Sequence, residues 1–447
     1  MTTLEQITPD VCSEPAAAAP SAPQAGISVA FLLSQYPAVS HTFLLQEVHG
    51  LRARGFRIET ASINRPDRPL RSLPAMEAAE AGATHYIKDG KPARALWLAI
   101  TAALRHPSAA LRGLAAIFRL PNLTLRQRSR WLFYLIEALL VGRWMQSRGL
   151  RHLHVHFGGA VASVGYLTSI AWKLPFSLTI HGPEELLNTG AYQLREKLRQ
   201  ASFVFCISDF CRSQLCQLTS PSQWSKFTVI RLGVDPARLM PPHPARVASS
   251  PLRLVCTGRL VAAKGHHILL EALKLLSNRG LPLHTTLIGD GPERTRLENF
   301  VRLRGLQNCV TFTSSLSHAE TLAHVRNADI FALASFAEGI PVALIEAMAF
   351  GVPCVSTSIA GIPELITTGQ DGLLVPPANS VALAAAIESL TEDPALRAFL
   401  GHSARRRILR DYNLPLNHEL LARSFQARLA QCLPCRASAT PQKEQTV

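Results

Sequence analysis

The chain has 447 residues, too many for one ordinary hydrophobic core, and its 47% hydrophobic and 17% charged content can fill two domains. A formal charge of +15 calls for an anionic partner, and composition does not choose among a phosphorylated substrate, a membrane surface and nucleic acid. No Lys or Arg precedes Arg52, as a secretory signal would require, so a cytoplasmic place is expected; the apolar runs Leu96 to Leu104 and Trp131 to Gly142 are too short to span a bilayer, and nine cysteines, an odd count, argue against a disulfide framework.

Residues 1–25, rich in Ala and Pro, have little to bury and read as a disordered tail. Order begins at Ile27, where I-S-V-A-F-L-L reads as the first buried strand of a parallel sheet, followed by a loop and a helix from Phe43 to Arg54. That loop, holding Ser40 and His41, opens at the carboxyl end of a strand, where open α/β sheets bind ligands. From Lys91 to Arg151 the arginines face a single acid, Glu137, and Arg105, Arg112, Arg119 and Arg126 recur every seven residues. Pro107 and Pro121 must break this run, while Leu111, Leu114, Ile117 and Phe118 add apolar surface. The stretch reads either as basic amphipathic helices lying on anionic lipid or as a solvated basic face of helices packed on the core.

In R-H-L-H-V-H-F-G, His152, His154 and His156 alternate along a strand and share one face. Three histidines could hold a metal, but no carboxylate or Cys stands nearby at ligand spacing, and no metal is expected. A second strand ends at His181, followed by a Gly182-Pro183 turn and a helix, and a histidine displayed there suits a ligand contact. Apolar runs at 204–208 and 229–235 continue the sheet, and the Pro-rich 236–251 reads as a linker.

The second half resumes the strand-helix alternation, with G-R-L-V-A-A-K-G at 258–265 as its first strand-to-helix turn. Arg259, able to bind bidentately, and Lys264, a point charge, stand near a helix N-terminus, as neutralising a diphosphate requires. In S-F-A-E-G-I-P-V-A-L-I-E-A-M-A-F-G-V-P, from Ser335 to Pro353, Glu338 precedes a turn whose backbone N–H groups at Gly339 and Ile340 suit phosphate or hydroxyl oxygens. Val342, Ile345 and Ala349 are expected to face a sheet, and Glu346, inside the helix, needs a hydrogen-bonding partner. No Asp-x-Asp occurs, which fits a site where side-chain cations and a helix N-terminus serve in place of a divalent ion. Cys432 and Cys435 form a C-x-x-C pair in a polar tail without the strand-helix context of a redox site.

The Glu338-x7-Glu346 arrangement, followed by A-M-A-F-G-V-P-C-V, resembles the signature of the retaining family 4 glycosyltransferases. The resemblance spans Ile27 to Gln431: P-A-V-S-H-T-F is similar to the P-x-x-S-E-T-F start of exopolysaccharide-type members, with His41 where Glu is common. It implies a GT-B fold, two facing doubly wound α/β domains: 26–235 on the acceptor side, 252–411 holding the nucleotide sugar, a helix at 412–431 crossing back, and a disordered tail at 432–447. It implies that His181, in a T-x-H-G-x-E match with Thr179, Gly182 and Glu184, contacts the donor sugar beside Glu338, with His156 on the acceptor side. Arg259, Lys264, Gly339, Ile340 and Glu346 would bind the rest of the donor. The implied reaction is metal-free transfer of a hexose, with retention, to a glycan or lipid-linked acceptor; nucleic acid is not an expected partner. A GT-B epimerase or phosphorylase and a catalytically silent membrane scaffold are the rival readings, and the intact Arg259, Lys264, Glu338 and Glu346 set argues against silence.

Overall fold

The computed structural model describes residues 27–38, 42–88, 92–239 and 250–432; Ser40, His41, Cys435 and most of the expected linker lie outside them. Seven strands, β1 Ser28–Gln35, β2 Arg57–Asn64, β3 His85–Tyr86, β4 Leu153–His156, β5 Phe176–Ile180, β6 Phe203–Cys206 and β7 Phe227–Val229, form one sheet in the order β3-β2-β1-β4-β5-β6-β7. Six more, β8 Leu252–Thr257, β9 Leu283–Ile288, β10 Val310–Phe312, β11 Ile330–Leu333, β12 Cys354–Thr357 and β13 Leu373–Val375, form a second in the order β10-β9-β8-β11-β12-β13. All neighbours are parallel. The apolar runs dictate this, because strands buried on both faces need helices above and below.

Period-two alternation in β1 shows how the layers are assigned. Ala30 and Leu32 face a core shared with the helices Leu125–Arg148 and Ala160–Trp172. Val29, Phe31 and Leu33 face the other side, where the helix Thr42–Arg52 meets the terminal helix Leu414–Cys432. The terminal helix thus leaves the second domain and packs on the first, with Phe425 against Phe31, Phe56, Phe203 and Phe205.

β7 ends at Val229, short of the expected 235, because the chain there becomes a crossing point between domains. Val234 N–H donates to the Tyr412 carbonyl at 3.0 Å, and Leu414 N–H donates to the Val234 carbonyl at 3.0 Å. Gly233 permits the contact, since a Cβ there would lie 2.5 Å from the Tyr412 oxygen. Among the described residues, no helix is long and apolar enough to cross a membrane.

Candidate active site

Each sheet reverses its strand order once, between β1 and β4 and between β8 and β11, and such sheets bind ligands outside the carboxyl ends of the strands at that reversal. Loops from both reversals line one cleft of about 820 Å³, toward the upper end of the roughly 300–1,000 Å³ of a small-ligand pocket.

The second-domain wall is built from the loops after β8 and β11. Gly265, at φ +62°, lets the Ala262–Lys264 turn press on the end of β11, for a Cβ there would meet the Ala334 carbonyl oxygen at 1.9 Å. That places Lys264 Nζ 2.6 Å from Glu338 Oε1, which also accepts from Ser335 Oγ at 2.7 Å. Glu338 is buried, and these charge-assisted bonds are what allow a carboxylate to stay there. Arg259 stands exposed on the same wall, with Gly339 and Ile340 beside it.

Glu346 is also buried, and its partner is His318, whose Nε2 lies 2.8 Å from Oε1; that bond raises the His318 pKa. Glu346 is not among the cleft-lining residues. The helix Val342–Ala349 is buried all round from Leu344 onward, so the expected one-sided stripe is corrected: Val342 is half-buried and lines the cleft, while Ile345 and Ala349 lie in the core.

On the first-domain wall, the backbone of His181 meets the second domain, since a Cβ on Gly339 would lie 2.2 Å from the His181 carbonyl oxygen. The His181 side chain turns inward, with Nε2 3.0 Å from Nδ1 of His156. His156 is fully buried behind it, which corrects its expected place on the acceptor surface. His156 Nε2 lies 3.3 Å from a Glu47 oxygen, so the expectation that no carboxylate stands near the histidines is also corrected: the acid arrives from a helix distant in sequence. Ligand atoms of Glu47, His154 and His156 fall within 4.8 Å of one another. Yet both His154 nitrogens are already engaged, by Ser177 Oγ at 2.8 Å and Thr179 Oγ1 at 2.9 Å, and burial drives its pKa well down. His152 and His154 are thus held by the Ser177 and Thr179 hydroxyls as buried packing elements.

Glu185 is a residue that sequence reasoning missed. Glu184, the acid matched in the motif, is exposed and bonds Tyr192 Oη at 3.3 Å. Glu185 instead points inward, accepting from Gly158 N–H, from His181 N–H at 3.1 Å and from Gly182 N–H at 3.3 Å. It therefore ties the β4 and β5 loops together, while Lys197 Nζ donates to the Gly158 and Gly159 carbonyls at 2.7 Å each. Burial pushes the Glu185 carboxyl up to about 7, against the pull of its N–H donors, and burial pushes Lys197 down to about 7. The available signal was the three-residue spacing from Gly182, at which an N3 carboxylate can accept from the N-cap N–H as in one half of a capping box.

Residues 41–238 match the family model described as Glycosyltransferase Family 4, and residues 245–407 match the one described as Glycosyl transferases group 1. The chain is 28% identical over 414 residues to the putative colanic acid biosynthesis glycosyltransferase WcaL of Escherichia coli K12, covering 90% of this chain and 100% of that one. It is 29% identical over 420 residues to the amylovoran biosynthesis glycosyltransferase AmsK of Erwinia amylovora, again covering 90% and 100%. In fold it is similar to Anabaena HepE, solved in complex with UDP-glucose, with a TM-score of 0.66 at 18% identity over 90% of this chain and 99% of that one.

Proposed function

The chain belongs to the family 4 glycosyltransferases, built on the GT-B fold, and on that premise we propose that it moves a hexose from a nucleoside diphosphate sugar, with retention, to a glycan or lipid-linked acceptor in exopolysaccharide assembly. The observation that carries this reading is the convergence of Arg259, Lys264 and Glu338 on one wall of the cleft, with His181 on the wall opposite. The UDP-glucose held by the similarly folded HepE supports the donor class.

In the reading, the donor diphosphate takes Arg259 and Lys264, and the sugar hydroxyls take the Glu338 oxygen that Lys264 now occupies. The Gly339 and Ile340 N–H groups add donors to the leaving oxygens. The C1–O bond to the diphosphate breaks as the acceptor oxygen bonds C1 from the same face, and the acceptor proton passes to the departing phosphate oxygen. Positive charge grows on the ring while side-chain cations hold the leaving group, so no metal is called for. The family resemblance assigns Glu346 to the ribose, although it lies outside the cleft lining and is bonded to His318.

Binding should therefore survive a chelator. A nucleotide at a hundred times its dissociation constant stabilises by about 2.7 kcal/mol, a readable melting shift. At least one of UDP, GDP and ADP should raise the transition with EDTA present, and product analysis should show glycosylated acceptor with the donor's anomeric configuration. Three flat melting curves would sink the diphosphate assignment, and turnover of nucleotide sugar without acceptor would favour an epimerase.

A further inference from the structure

The insertion between β3 and β4 carries a surface that glycosyl transfer does not use. Its helices, Pro92–Arg105, Pro107–Arg119 and Leu125–Arg148, bury small residues such as Ala99, Ala102, Ala109 and Ala116 toward the core. Ile117 and, on the third helix, Trp131, Leu135 and Leu139 are buried with them, yet a second set of large apolar side chains points outward. Of the twenty large hydrophobic residues exposed among the described residues, ten lie between Leu96 and Phe133. On the first helix Leu96, Trp97, Ile100 and Leu104 fall on one face by their spacing, with Trp97 63% and Leu104 76% exposed. On the second, Leu111 and Phe118 do the same, at 66% and 65%. An amphipathic helix that turns its apolar face to solvent is inverted for a water-soluble protein, and such a patch marks an interaction site.

The charge around the patch says what covers it. Glu137, the one acid of the stretch, is neutralised by Lys88 at 2.7 Å. Among the described residues, none of Arg105, Arg112, Arg119, Arg126, Arg128 and Arg130 pairs with a carboxylate. Arg112 is tied inward to the Ala171 carbonyl and Arg128 to the Ile117 carbonyl, but Arg119, Arg126 and Arg130 are exposed. On the third helix Leu125, Leu132 and Phe133 share their exposed face with Arg126 and Arg130. Apolar side chains flanked by unopposed guanidinium groups match an anionic bilayer, whose acyl region takes the first and whose headgroups take the second.

The patch also adjoins the cleft. Gln193 Nε2 donates to the Pro121 carbonyl, in the turn between the second and third helices, at 3.1 Å. The next residue back, Tyr192, lines the cleft.

We propose that the outer faces of the insertion helices dock the protein on an anionic bilayer, with the turn at 120–124 at the cleft side, so that a lipid-linked acceptor reaches the site from the membrane plane. The choice of acceptor rests on the glycosyl-transfer reading; the docking does not. The test is flotation of the full chain with vesicles of phosphatidylcholine plus phosphatidylglycerol, against phosphatidylcholine alone. The protein should float with the first and hardly with the second. A variant with Trp97→Glu, Leu104→Glu, Leu111→Glu and Phe118→Glu should float at least about tenfold less, while its nucleotide-dependent melting shift is kept. A second variant, Arg119→Glu with Arg126→Glu and Arg130→Glu, should lose flotation at a lower salt concentration than the parent. Undiminished flotation of the apolar variant would overturn the proposal. So would a parent that stays with the unbound fraction and sediments as a dimer dissociated by those same changes, since the patch would then bind a second copy. A protein that floats but shows no melting shift with any nucleotide would fail the glycosyl-transfer reading and leave the docking standing.

Discussion

Glu338 and Glu346 lie eight residues apart and are both buried, yet their surroundings assign them different work. Glu338 faces the cleft and shares one oxygen between Lys264 and Ser335, so Glu338→Gln keeps the shape of the group and removes the charge that balances the lysine. If that carboxylate steadies a sugar ring that gains positive charge, the loss falls mainly on the transition state, and kcat should drop by roughly ten- to a thousandfold with donor KM little changed. Glu346→Gln weakens a contact to a part of the donor that does not react, so it should chiefly raise donor KM. Steady-state kinetics decides, and the roles must be abandoned if the pattern reverses or both variants keep full activity. Arg259, Lys264, Glu338 and His181 could be singled out in the sequence because each sits in a short strand-to-helix turn whose chemistry is local. Glu47 and Glu185 could not: Glu47 comes to His156 from another helix, and Glu185 is told from Glu184 only by which of them points inward.

At the scale of elements, one contact joins the domains without using the cleft. Glu364, in the short helix Ile362–Leu365 of the second domain, accepts from the backbone N–H groups of Asp209 at 2.9 Å and Phe210 at 2.6 Å. These are the first residues of the first-domain helix Asp209–Leu218, whose N-terminal donors and dipole favour a carboxylate. Arg231 stands 3.5 Å from the same carboxylate and 2.7 Å from Asp209. Losing a cap costs about 1 kcal/mol, so Glu364→Ala should loosen the domains in the absence of substrate. Small-angle scattering should then give a larger radius of gyration, restored by saturating nucleotide sugar; an unchanged radius would mean that the crossing at Val234 and Tyr412 suffices alone. Strands buried on both faces and the turns after them were legible because their period and punctuation are local. The outward apolar faces of the insertion were legible in part: Leu111, Leu114 and Phe118 are exposed as expected, but Ile117 is buried in the core, and the seven-residue spacing of Arg105, Arg112, Arg119 and Arg126 suggested one basic face whereas the structure distributes those residues over three helices.

For the whole molecule, the buried imidazoles set how stability responds to acid. His152, His154 and His266 are at most 4% exposed, and burial pushes His152 down to about 3, His266 down to about 4, and His154 well below its ordinary value. Above pH of about 6.5 these imidazoles are neutral in both states. Below it the unfolded chain takes up protons that the folded chain refuses, so stability falls as pH falls, by up to about 1.4 kcal/mol per pH unit for each histidine. Two groups act the other way. Glu185, raised to about 7 by burial, binds its proton more tightly when folded and gains stability as pH falls from there toward the ordinary carboxyl range. His318, raised by Glu346, stabilises fully below its unfolded value and loses that contribution as pH rises through its folded one; being half exposed, it contributes less. Three imidazoles outweigh these two, and the melting temperature should decline from pH 7 to pH 5 in scanning calorimetry. His152→Gln, which keeps a side-chain partner for Ser177 but takes up no proton, should make that decline shallower. A melting temperature that held steady or rose over this interval would show that His152, His154 and His266 take up protons in the folded protein, and the reading of these buried imidazoles as neutral would fail.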